Sequence, residues 1–356
     1  MDLNRIFMKN CCPTKVGGQA ILEGLMMRGN RALAIAVRKP DGNIHLAVEP
    51  LPGKSKWAKI PVVRGVYAFV SSLVTGTGVL FYGADLLEKW EEEKEIKEHP
   101  EAAAASKESG TDEKKKDSGL SQGAIYLSVV LALAICIGLF VLLPTFVLSL
   151  VKKAGVESVL LLNLLEGVLR ILLFVGYVAA CSLMPDIKRT FEYHGAEHKT
   201  IHCYENGLEL TPENAQTFYT LHPRCGTSFM VFVMVISLLI FSLFGWPNLW
   251  LRVLSRLLLI PVVAGLSYEL LQFTGRHNNG FVKAVSIPGI MLQKVTTREP
   301  SLDQLEVAIA AMKAVLPSHE NPDIPVDYWV GVQLPDGTLV KDEAATSEYI
   351  ESKKKK

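Results

Sequence analysis

The 356-residue chain has almost no net charge and few cysteines. Its formal net charge of +1 gives no reason to expect nucleic acid as a partner. Its six cysteines lack the paired spacing of a disulfide framework, which excludes a small disulfide-stapled secreted domain. Residues 1–15 are polar and contain no apolar core, so we expect no cleavable signal peptide. The sequence shows no internal repeat.

Long apolar runs alternate with charged stretches, and the mean hydropathy of +0.25 is high for a soluble protein. A helix needs about 20 mostly apolar residues to cross a bilayer. Four segments meet this length, and short turns at 152–158 and 245–252 join them into two hairpins. The four segments are residues 124–151, 159–184, 228–244 and 253–273. The second carries Glu166 and Arg170, which we expect to form an ion pair one helical turn apart.

A fifth stretch, residues 66–88, is rich in small residues and only weakly apolar. We favour an interfacial or re-entrant helix here, and a full span is the alternative. The predicted fold is therefore a mainly α, multi-pass membrane protein. It has two transmembrane helical hairpins, this additional helix, and a small cytoplasmic β-containing portion built from both termini.

Basic residues favour one orientation of the hairpins. With four spans, both termini and the 185–227 segment share a side, and that side holds more Lys and Arg. The positive-inside rule makes it the cytoplasmic side, and unpaired cysteines agree with a reducing compartment. The basic residues on that side are Lys114, Lys115, Lys116, Lys188, Arg189, Lys199, Arg224, Arg276 and Lys283, against Lys152, Lys153, Arg252 and Arg256 on the other.

The polar segments have their own patterns. Apolar and polar residues alternate around Asp41-Gly42 and again around Asp336-Gly337, which predicts two β-hairpins that pair into one sheet. Residues 89–121 are highly charged and predict a helical start that gives way to a disordered linker. Residues 301–315 have helical periodicity with Ser301 as the N-cap.

These patterns divide the chain into seven parts. They are 1–65, a Gly-rich segment and β-hairpin; 66–88, the interfacial or re-entrant helix; 89–121, the linker; 122–184, the first hairpin; 185–227, a His-rich polar segment; 228–273, the second hairpin; and 274–356, a cytoplasmic region with an amphipathic helix.

The His-rich segment, residues 185–227, contains the candidate metal ligands and the candidate catalytic base. His194, His198 and His202 recur every four residues, which places them along one face of a helix. Imidazoles one turn apart are suited to chelating a divalent metal, most naturally Zn²⁺. Glu197 completes an H-x-x-E-H pattern, in which the glutamate is the catalytic base. Gly195 weakens a helix, so we expect an irregular backbone here.

Further metal ligands are available nearby. His222 and Cys225 form H-x-x-C just before the third span, and Glu269 lies inside the fourth. Glu205 is another oxygen donor. The alternative is that the histidines are interfacial or hydrogen-bonded helix residues, and that Glu269 pairs with Arg276 or Arg256.

The glycine-rich run at 16–30 matches no nucleotide-binding pattern. We expect a turn followed by a packed helix. The functional alternative is a flap that carries Glu23 or Arg28 over the metal site.

Four motifs in order resemble the YqhQ-like family of bacterial membrane proteins. They are GGQAILEGLMMRG, YHGAEHKTIHCYE, LHPRCGTSF and PGIMLQKVTTREP, and the resemblance covers about residues 16–316. The family has no established function and is sometimes described as predicted metal-dependent enzymes. The resemblance implies a bacterial inner-membrane location and supports the metal. It also draws attention to polar residues after the last span: Arg276, His277, Thr297, Arg298 and Glu299.

The leading hypothesis is a metal-dependent enzyme in the membrane, a hydrolase that acts at the cytoplasmic face. The expected partner is membrane lipid, and no protein partner is implied. A metal or solute transporter and a non-catalytic scaffold are the rivals.

Overall fold

The computed structural model describes residues 14–51, 53, 59–98, 122–243, 249–277, 279–321 and 323–354. They form two compact units. The first is built from described residues of Met1–Leu87, Val178–Val233 and Leu259–Lys356, and the second from those of Glu88–Tyr177 and Met234–Leu258. The predicted disordered part of the linker, residues 99–121, lies outside the described residues.

The described residues are mainly helical, with six strands. The strands are β1 Gly17–Ile21, β2 Gly24–Arg28, β3 Ala32–Arg38, β4 Ile44–Pro50, β5 Trp329–Gln333 and β6 Leu339–Asp342. The helices are α1 Val63–Glu98, α2 Gln122–Ile137, α3 Leu143–Lys153, α4 Val159–Cys181, α5 Pro185–Glu205, α6 Pro212–Gln216, α7 Gly226–Ser242, α8 Leu249–Arg276, α9 Gly280–Thr296, α10 Leu302–Glu320 and α11 Glu343–Lys354. One π-helical turn, Gly138–Leu142, joins α2 to α3.

All six strands lie in one antiparallel sheet in the order β1-β2-β3-β4-β5-β6. Both predicted hairpins are present, with Gly42 and Gly337 at positive φ in their turns. They join through β4 and β5, whose residues Val48 and Trp329 are paired. The ends of the chain therefore form one sheet, as predicted.

The structure corrects the interpretation of residues 16–30. A helix was expected after the turn, but β1 and β2 form a hairpin that closes on Leu22 and Glu23. Glu23 adopts a φ of +53° and Leu22 does not, which is the pattern of a type II turn, with a positive φ only at the second central residue.

Helices cover both faces of the sheet in the first unit. Side chains of α5 and α10 form one buried core with alternate residues of the strands. On the other face, the Nε2 atom of Gln19 donates to the carbonyl of Gly76 in α1, and His45 Nε2 lies 2.9 Å from Tyr82 Oη. The predicted helix at 301–315 is confirmed, and Ser301 forms a capping box with Gln304.

Four described helices are long and apolar enough to cross a membrane by length and composition. They are Val63–Glu98, Val130–Lys153, Val159–Cys181 and Leu254–Arg276, and the apolar helix Gly226–Ser242 is shorter. Three of the four correspond to predicted spans. The fourth, α1, is one continuous helix of 36 residues where an interfacial or re-entrant segment was favoured.

Candidate metal centre

Helix α5 carries the H-x-x-E-H pattern without a break from Pro185 to Glu205. The irregular backbone expected at Gly195 is absent from this described helix. Glycine has another role here, because a Cβ on Gly195 would run into the main-chain carbonyl of Arg298. The helix and the segment after α9 therefore approach each other more closely than any larger residue permits.

His194, His198 and Cys225 meet at one point. One ligand atom from each lies within 4.8 Å of the other two. His194 Nε2 is 3.1 Å from Cys225 Sγ, and the two imidazole centroids are 4.5 Å apart. The two histidines one helical turn apart therefore lie next to the cysteine of the H-x-x-C motif before α7, as predicted.

Main-chain carbonyls orient both imidazoles. His194 Nδ1 lies 2.8 Å from the carbonyl oxygen of Thr296, and His198 Nδ1 lies 2.5 Å from that of Thr220. A carbonyl oxygen only accepts, so Nδ1 is the protonated donor in each ring. In a neutral ring Nε2 then carries the lone pair that a metal needs. Without a metal, the raised pKa of His194 keeps a proton on its Nε2, which faces Cys225 Sγ, and a bound cation would replace that proton. Metal-binding histidines are commonly held by such a hydrogen bond from the other nitrogen.

The three residues fit a zinc ion. His and Cys are the ligands that zinc prefers, and in a tetrahedral site with bonds of about 2.0–2.3 Å the ligand atoms stand roughly 3.3–3.8 Å apart. The observed cluster needs only small side-chain adjustments to reach these separations. In the described part of the chain, His198 Nε2 is buried without a hydrogen-bond partner. A bound cation would satisfy this atom.

The residues of the cluster also shift one another's pKa values. Burial lowers the pKa of His194, but Cys225 outweighs burial and the net pKa is raised to about 9. Burial raises the pKa of Cys225, but His194 and His198 outweigh it and hold the net pKa well below the usual value for a thiol. The thiol therefore ionises readily, as a metal-ligating cysteine must.

Glu197 lies beside this cluster and is buried, with 5% of the residue exposed. Its Oε1 atom accepts a 2.7 Å hydrogen bond from the main-chain N–H of Gly18 in β1. Its Oε2 atom is buried and has no hydrogen-bond partner among the described residues. Burial raises the pKa of this carboxyl, with His198 and His194 opposing. One oxygen is thus held in place and the other is available to take a proton.

His202 and His222 form a second layer. Nε2 of His202 donates to the carbonyl of Leu221 at 2.9 Å, and His222 Nδ1 accepts from the N–H of Arg224 at 3.3 Å. Their rings are 4.6 Å apart. Burial lowers the pKa of His202 to about 4 and that of His222 well below 6.5, so both are neutral. Neither belongs to the close group of three ligand atoms.

Glu205 connects the N-terminal segment to this second layer. Its carboxylate accepts from the N–H of Thr14 at 2.9 Å and pairs with Arg224. Arg224 in turn donates to the carbonyl of Thr14 at 2.8 Å. His222 Nε2 lies 3.8 Å from Glu205 Oε2. Glu205 therefore organises the loop that carries His222 and Cys225.

Glu269 lies elsewhere in the described residues. Its carboxylate forms a two-point ion pair with Arg64 and accepts from the N–H of Val62 at 3.1 Å. It has a partner, as expected for an acidic residue in an apolar helix, but the ion pair is with Arg64 rather than with Arg276 or Arg256, and Glu269 does not belong to the close group of ligand atoms.

Glu23, one of the two predicted flap residues, contacts α5 in its first turns. Glu23, in the β1–β2 turn, pairs with Arg189 and accepts from Tyr193 Oη at 3.5 Å. Arg28 ends β2. Glu23 thus holds the hairpin onto α5, whereas Gly18, in the same hairpin, is the residue that reaches Glu197.

The polar residues after the last predicted span lie in three places. Arg276 and His277 are exposed at the end of α8, where His277 Nδ1 lies 3.0 Å from the carbonyl of Phe273. Arg298 and Glu299 lie along α5, where Arg298 N–H donates to the carbonyl of Phe191 and Glu299 pairs with the buried Lys199. Thr297 caps α9 by donating to Gln293 at 2.8 Å.

Sequence reasoning missed the groups that position the ligands. The carbonyls of Thr220 and Thr296 and the N–H of Gly18 belong to the main chain, so no side-chain pattern signals them. Gln293 was also missed. Its side-chain amide accepts a 2.8 Å hydrogen bond from the main-chain N–H of His222 and donates another of 2.8 Å to the carbonyl of the same residue. A buried glutamine within an otherwise apolar run was the available signal.

Comparison with known proteins places these residues in a family. Residues 60–318 match the family described as protein of unknown function (DUF1385). The chain is 36% identical over 316 residues to the uncharacterized protein YqhQ of Bacillus subtilis (strain 168), covering 86% of this chain and 94% of that protein. No solved structure matches the chain. The chain therefore belongs to the DUF1385 family of YqhQ-like proteins.

Proposed function

We propose that this protein is a membrane-bound, metal-dependent hydrolase whose metal is held by His194, His198 and Cys225. One observation carries the proposal: the two imidazoles donate Nδ1–H to fixed carbonyls and direct Nε2 toward the same thiol. Three protein ligands leave one position of a tetrahedral ion open, which is the arrangement of catalytic rather than structural zinc sites.

Glu197 is the proposed general base. It does not belong to the close group of ligand atoms, and Gly18 holds one of its oxygens. Its second oxygen faces no described hydrogen-bond donor and can accept a proton from water. Zinc, when bound, would supply Lewis acidity toward water and a substrate carbonyl or phosphoryl group. The substrate class consistent with the predicted location is a membrane peptide, a lipid head group or a membrane-bound intermediate.

Two variants test this function together. Glu197→Gln should keep zinc and the fold but abolish complementation of a deletion strain, because the amide cannot take a proton. His198→Ala should lose both zinc and function. Asp186→Asn, an exposed carboxylate at the start of the same helix, serves as the matched control.

Other outcomes separate the rivals. Full complementation by Glu197→Gln with zinc retained would contradict the enzyme and favour a scaffold. Loss of zinc in Glu197→Gln would make that residue a ligand. Function in zinc-free protein that still requires Cys225 would point to a cysteine nucleophile oriented by His194.

We also propose that the membrane part consists of two hairpins and that α1 does not cross the bilayer. The support is the pairing of β4 with β5, since one sheet lies on one side of a membrane. The number of crossings between Pro50 and Trp329 must then be even. Helix α5 packs on the same sheet, so the number between Pro50 and Pro185 must also be even.

Three apolar segments lie between Pro50 and Pro185: α1, the α2–α3 run and α4. Only two of them can cross. Helix α1 is the one that packs on the sheet, through Gly76, Tyr82 and Gly83. A helix that covers a sheet face along several turns is an interfacial element, in agreement with the weak hydropathy of its sequence.

The Lys and Arg asymmetry orients these hairpins in a bacterial inner membrane with the metal site on the cytoplasmic side. Single cysteines labelled with a membrane-impermeant reagent in intact cells test this. Gly155→Cys should be labelled, whereas Leu208→Cys, Val340→Cys and Glu93→Cys should be protected until the cells are opened. If Glu93→Cys is labelled while Leu208→Cys and Val340→Cys stay protected, α1 crosses the membrane. If Gly155→Cys is protected, the orientation is the reverse of the one proposed.

A further inference from the structure

Strand β1 forms a free edge of the six-stranded sheet, because β2 is its only neighbour in the order of the strands. Its sequence GGQAI contains no charged residue and no proline, although such residues commonly protect a sheet edge from pairing with another chain. Gly17 and Gly18, at the start of the strand, are exposed. An edge of this kind can accept an extended peptide as an additional strand.

The register shows which main-chain groups of β1 point outward. Ile21 and Gly24 flank the two-residue turn and so form a hydrogen-bonded pair, after which bonded and non-bonded pairs alternate. The N–H and C=O groups of Gly18 and Ala20 consequently point away from β2. The N–H of Gly18 agrees with this, since it donates to Glu197. Among the described residues, the C=O of Gly18 and both main-chain groups of Ala20 have no hydrogen-bond partner.

The outward groups of β1 lie beside the candidate catalytic base. Glu197 Oε1 is 2.7 Å from the main-chain nitrogen of Gly18, and Ala20 follows two residues farther along the strand, about 7 Å away. A Cβ on Gly18 would lie 3.0 Å from the carboxyl carbon of Glu197, so glycine allows β1 to approach the base this closely. An extended chain that pairs with β1 therefore passes next to Glu197.

We propose that the substrate is an extended peptide segment that binds as an additional strand along β1. Its N–H groups donate to the carbonyls of Gly18 and Ala20, and one of its C=O groups accepts from the N–H of Ala20. This inference rests on the proposed hydrolase and narrows its substrate to a protein chain, because a lipid head group has no row of alternating amide donors and acceptors. Main-chain pairing supplies affinity that depends little on the side chains of the peptide.

The reaction at this position is hydrolysis of a peptide bond. The oxygen of one water bonds to the carbonyl carbon, and one of its protons moves to Oε2 of Glu197 and then to the amine nitrogen as the C–N bond breaks. The second proton leaves the new carboxylic acid, which is ionised at neutral pH. Pairing with β1 holds the peptide extended, so that the reacting bond stays beside the base.

Alanine peptides that carry a metal-binding hydroxamate test the pairing on the zinc-loaded full-length protein. One probe is acetyl-tetraalanine hydroxamate, and a second carries the hydroxamate at the other end of the peptide through a succinyl linker. Calorimetry compares both with acetohydroxamate, which has the metal-binding group alone. At least one peptide probe should bind about tenfold more tightly or better, because two or three main-chain hydrogen bonds add to its affinity. Methylation of every amide nitrogen in the probe should remove this gain.

The outcomes separate this inference from the proposed function. If acetohydroxamate does not bind, the open metal site is contradicted and the inference falls with it. If acetohydroxamate binds as tightly as both peptide probes, the additional strand alone is overturned and the metal site stands. A peptide gain that survives methylation would also overturn the additional strand, since the peptide would then bind without main-chain pairing.

Variants locate the effect on β1. Ala20→Pro removes an outward N–H and leaves the bonds to β2 in place, so it should reduce the peptide gain at least about threefold without changing the binding of acetohydroxamate. Gly17→Ala is the matched control, because a Cβ there meets open space and the main-chain groups of Gly17 point toward β2. An unchanged gain in Ala20→Pro would overturn the proposal. If Ala20→Pro fails to fold, the methylated probes on wild type decide.

Discussion

The main-chain N–H of Arg298 donates a 2.9 Å hydrogen bond to the carbonyl of Phe191, one turn before Gly195 in α5. This bond brings the carbonyl of Arg298 against Gly195, and it sets the position of Thr296, whose carbonyl orients His194. Backbone contact at this point therefore determines where one imidazole of the candidate metal centre points.

Gly195→Ala should separate these two segments. We expect a loss of about 1–3 kcal/mol in the free energy of unfolding from overpacking. We also expect at least tenfold weaker zinc binding, since His194 loses its orienting carbonyl. Calorimetry and metal titration measure both effects. Gly176→Ala is the control, because a Cβ there meets open space in a helix, and equal behaviour of the two variants would contradict this role of Gly195.

Removal of the proposed zinc ion should destabilise the protein. We expect a chelator to lower the thermal midpoint of wild type, because a ligand that binds only the folded state stabilises it. Cys225→Ser should bind zinc at least tenfold more weakly and show a smaller chelator effect. Cys203→Ser is the matched control, since its thiol lies on α5 but contacts the carbonyl of Glu209 at 3.4 Å. Equal zinc content in the two variants would remove Cys225 from the ligands.

Glu269→Gln should retain zinc. The carboxylate is paired with Arg64, and both side chains are about one-quarter exposed at 26% and 27%. Glutamine keeps the size of the side chain, and its amide oxygen can still accept from Arg64 and from the N–H of Val62, so we expect the fold to be retained. Metal analysis and a denaturation curve test the prediction. A zinc-free Glu269→Gln protein that remains folded would restore Glu269 as a ligand.

Acid should destabilise the first unit through His45. Burial lowers its pKa to about 4, with Lys39 acting in the same direction and Asp342 opposing. Unfolded His45 takes up a proton below about pH 6.5, whereas the folded residue resists until about pH 4, so stability is lost as the pH falls through this window. The contribution is at most about 3 kcal/mol.

Comparison of pH-dependent unfolding in wild type and His45→Gln measures this contribution. The amide can still bond Tyr82 but does not titrate, so the variant should lose less stability between pH 6.5 and pH 4. His202 and other buried histidines are common to both proteins and cancel in the difference. Identical pH profiles would show that the pKa of His45 is the same in the folded and unfolded states, which would contradict the prediction.

The local features of the fold could be predicted from the sequence. Asp41-Gly42 and Asp336-Gly337 produce their hairpins because the turn needs a positive φ that glycine adopts freely. Ser301 begins α10 because its side chain satisfies a free N–H at the helix start. The β1–β2 hairpin was missed because neither GGQAI nor GLMMR alternates apolar and polar residues, and Leu22-Glu23 is not a pair that signals a turn.

The candidate site was predictable in part. His194 and His198 are one turn apart, and a helix alone brings them together. The addition of Cys225, rather than His202 or His222, depended on how the loop before α7 folds back over α5. His202 shares the periodicity of the other two, yet the carbonyl of Leu221 takes its Nε2–H.

The sequence by itself determined the apolar helices, the two terminal hairpins and the pair of histidines, because each depends on contacts within a few residues. The tertiary structure decided that Gly18 holds Glu197, that Arg64 takes Glu269, and that Arg256 joins Glu166 and Arg170. These contacts join residues 90 to 205 positions apart, and a main-chain N–H makes the one to Glu197. Main-chain groups are the same in every residue, so only the path of the chain determines which side chain they meet.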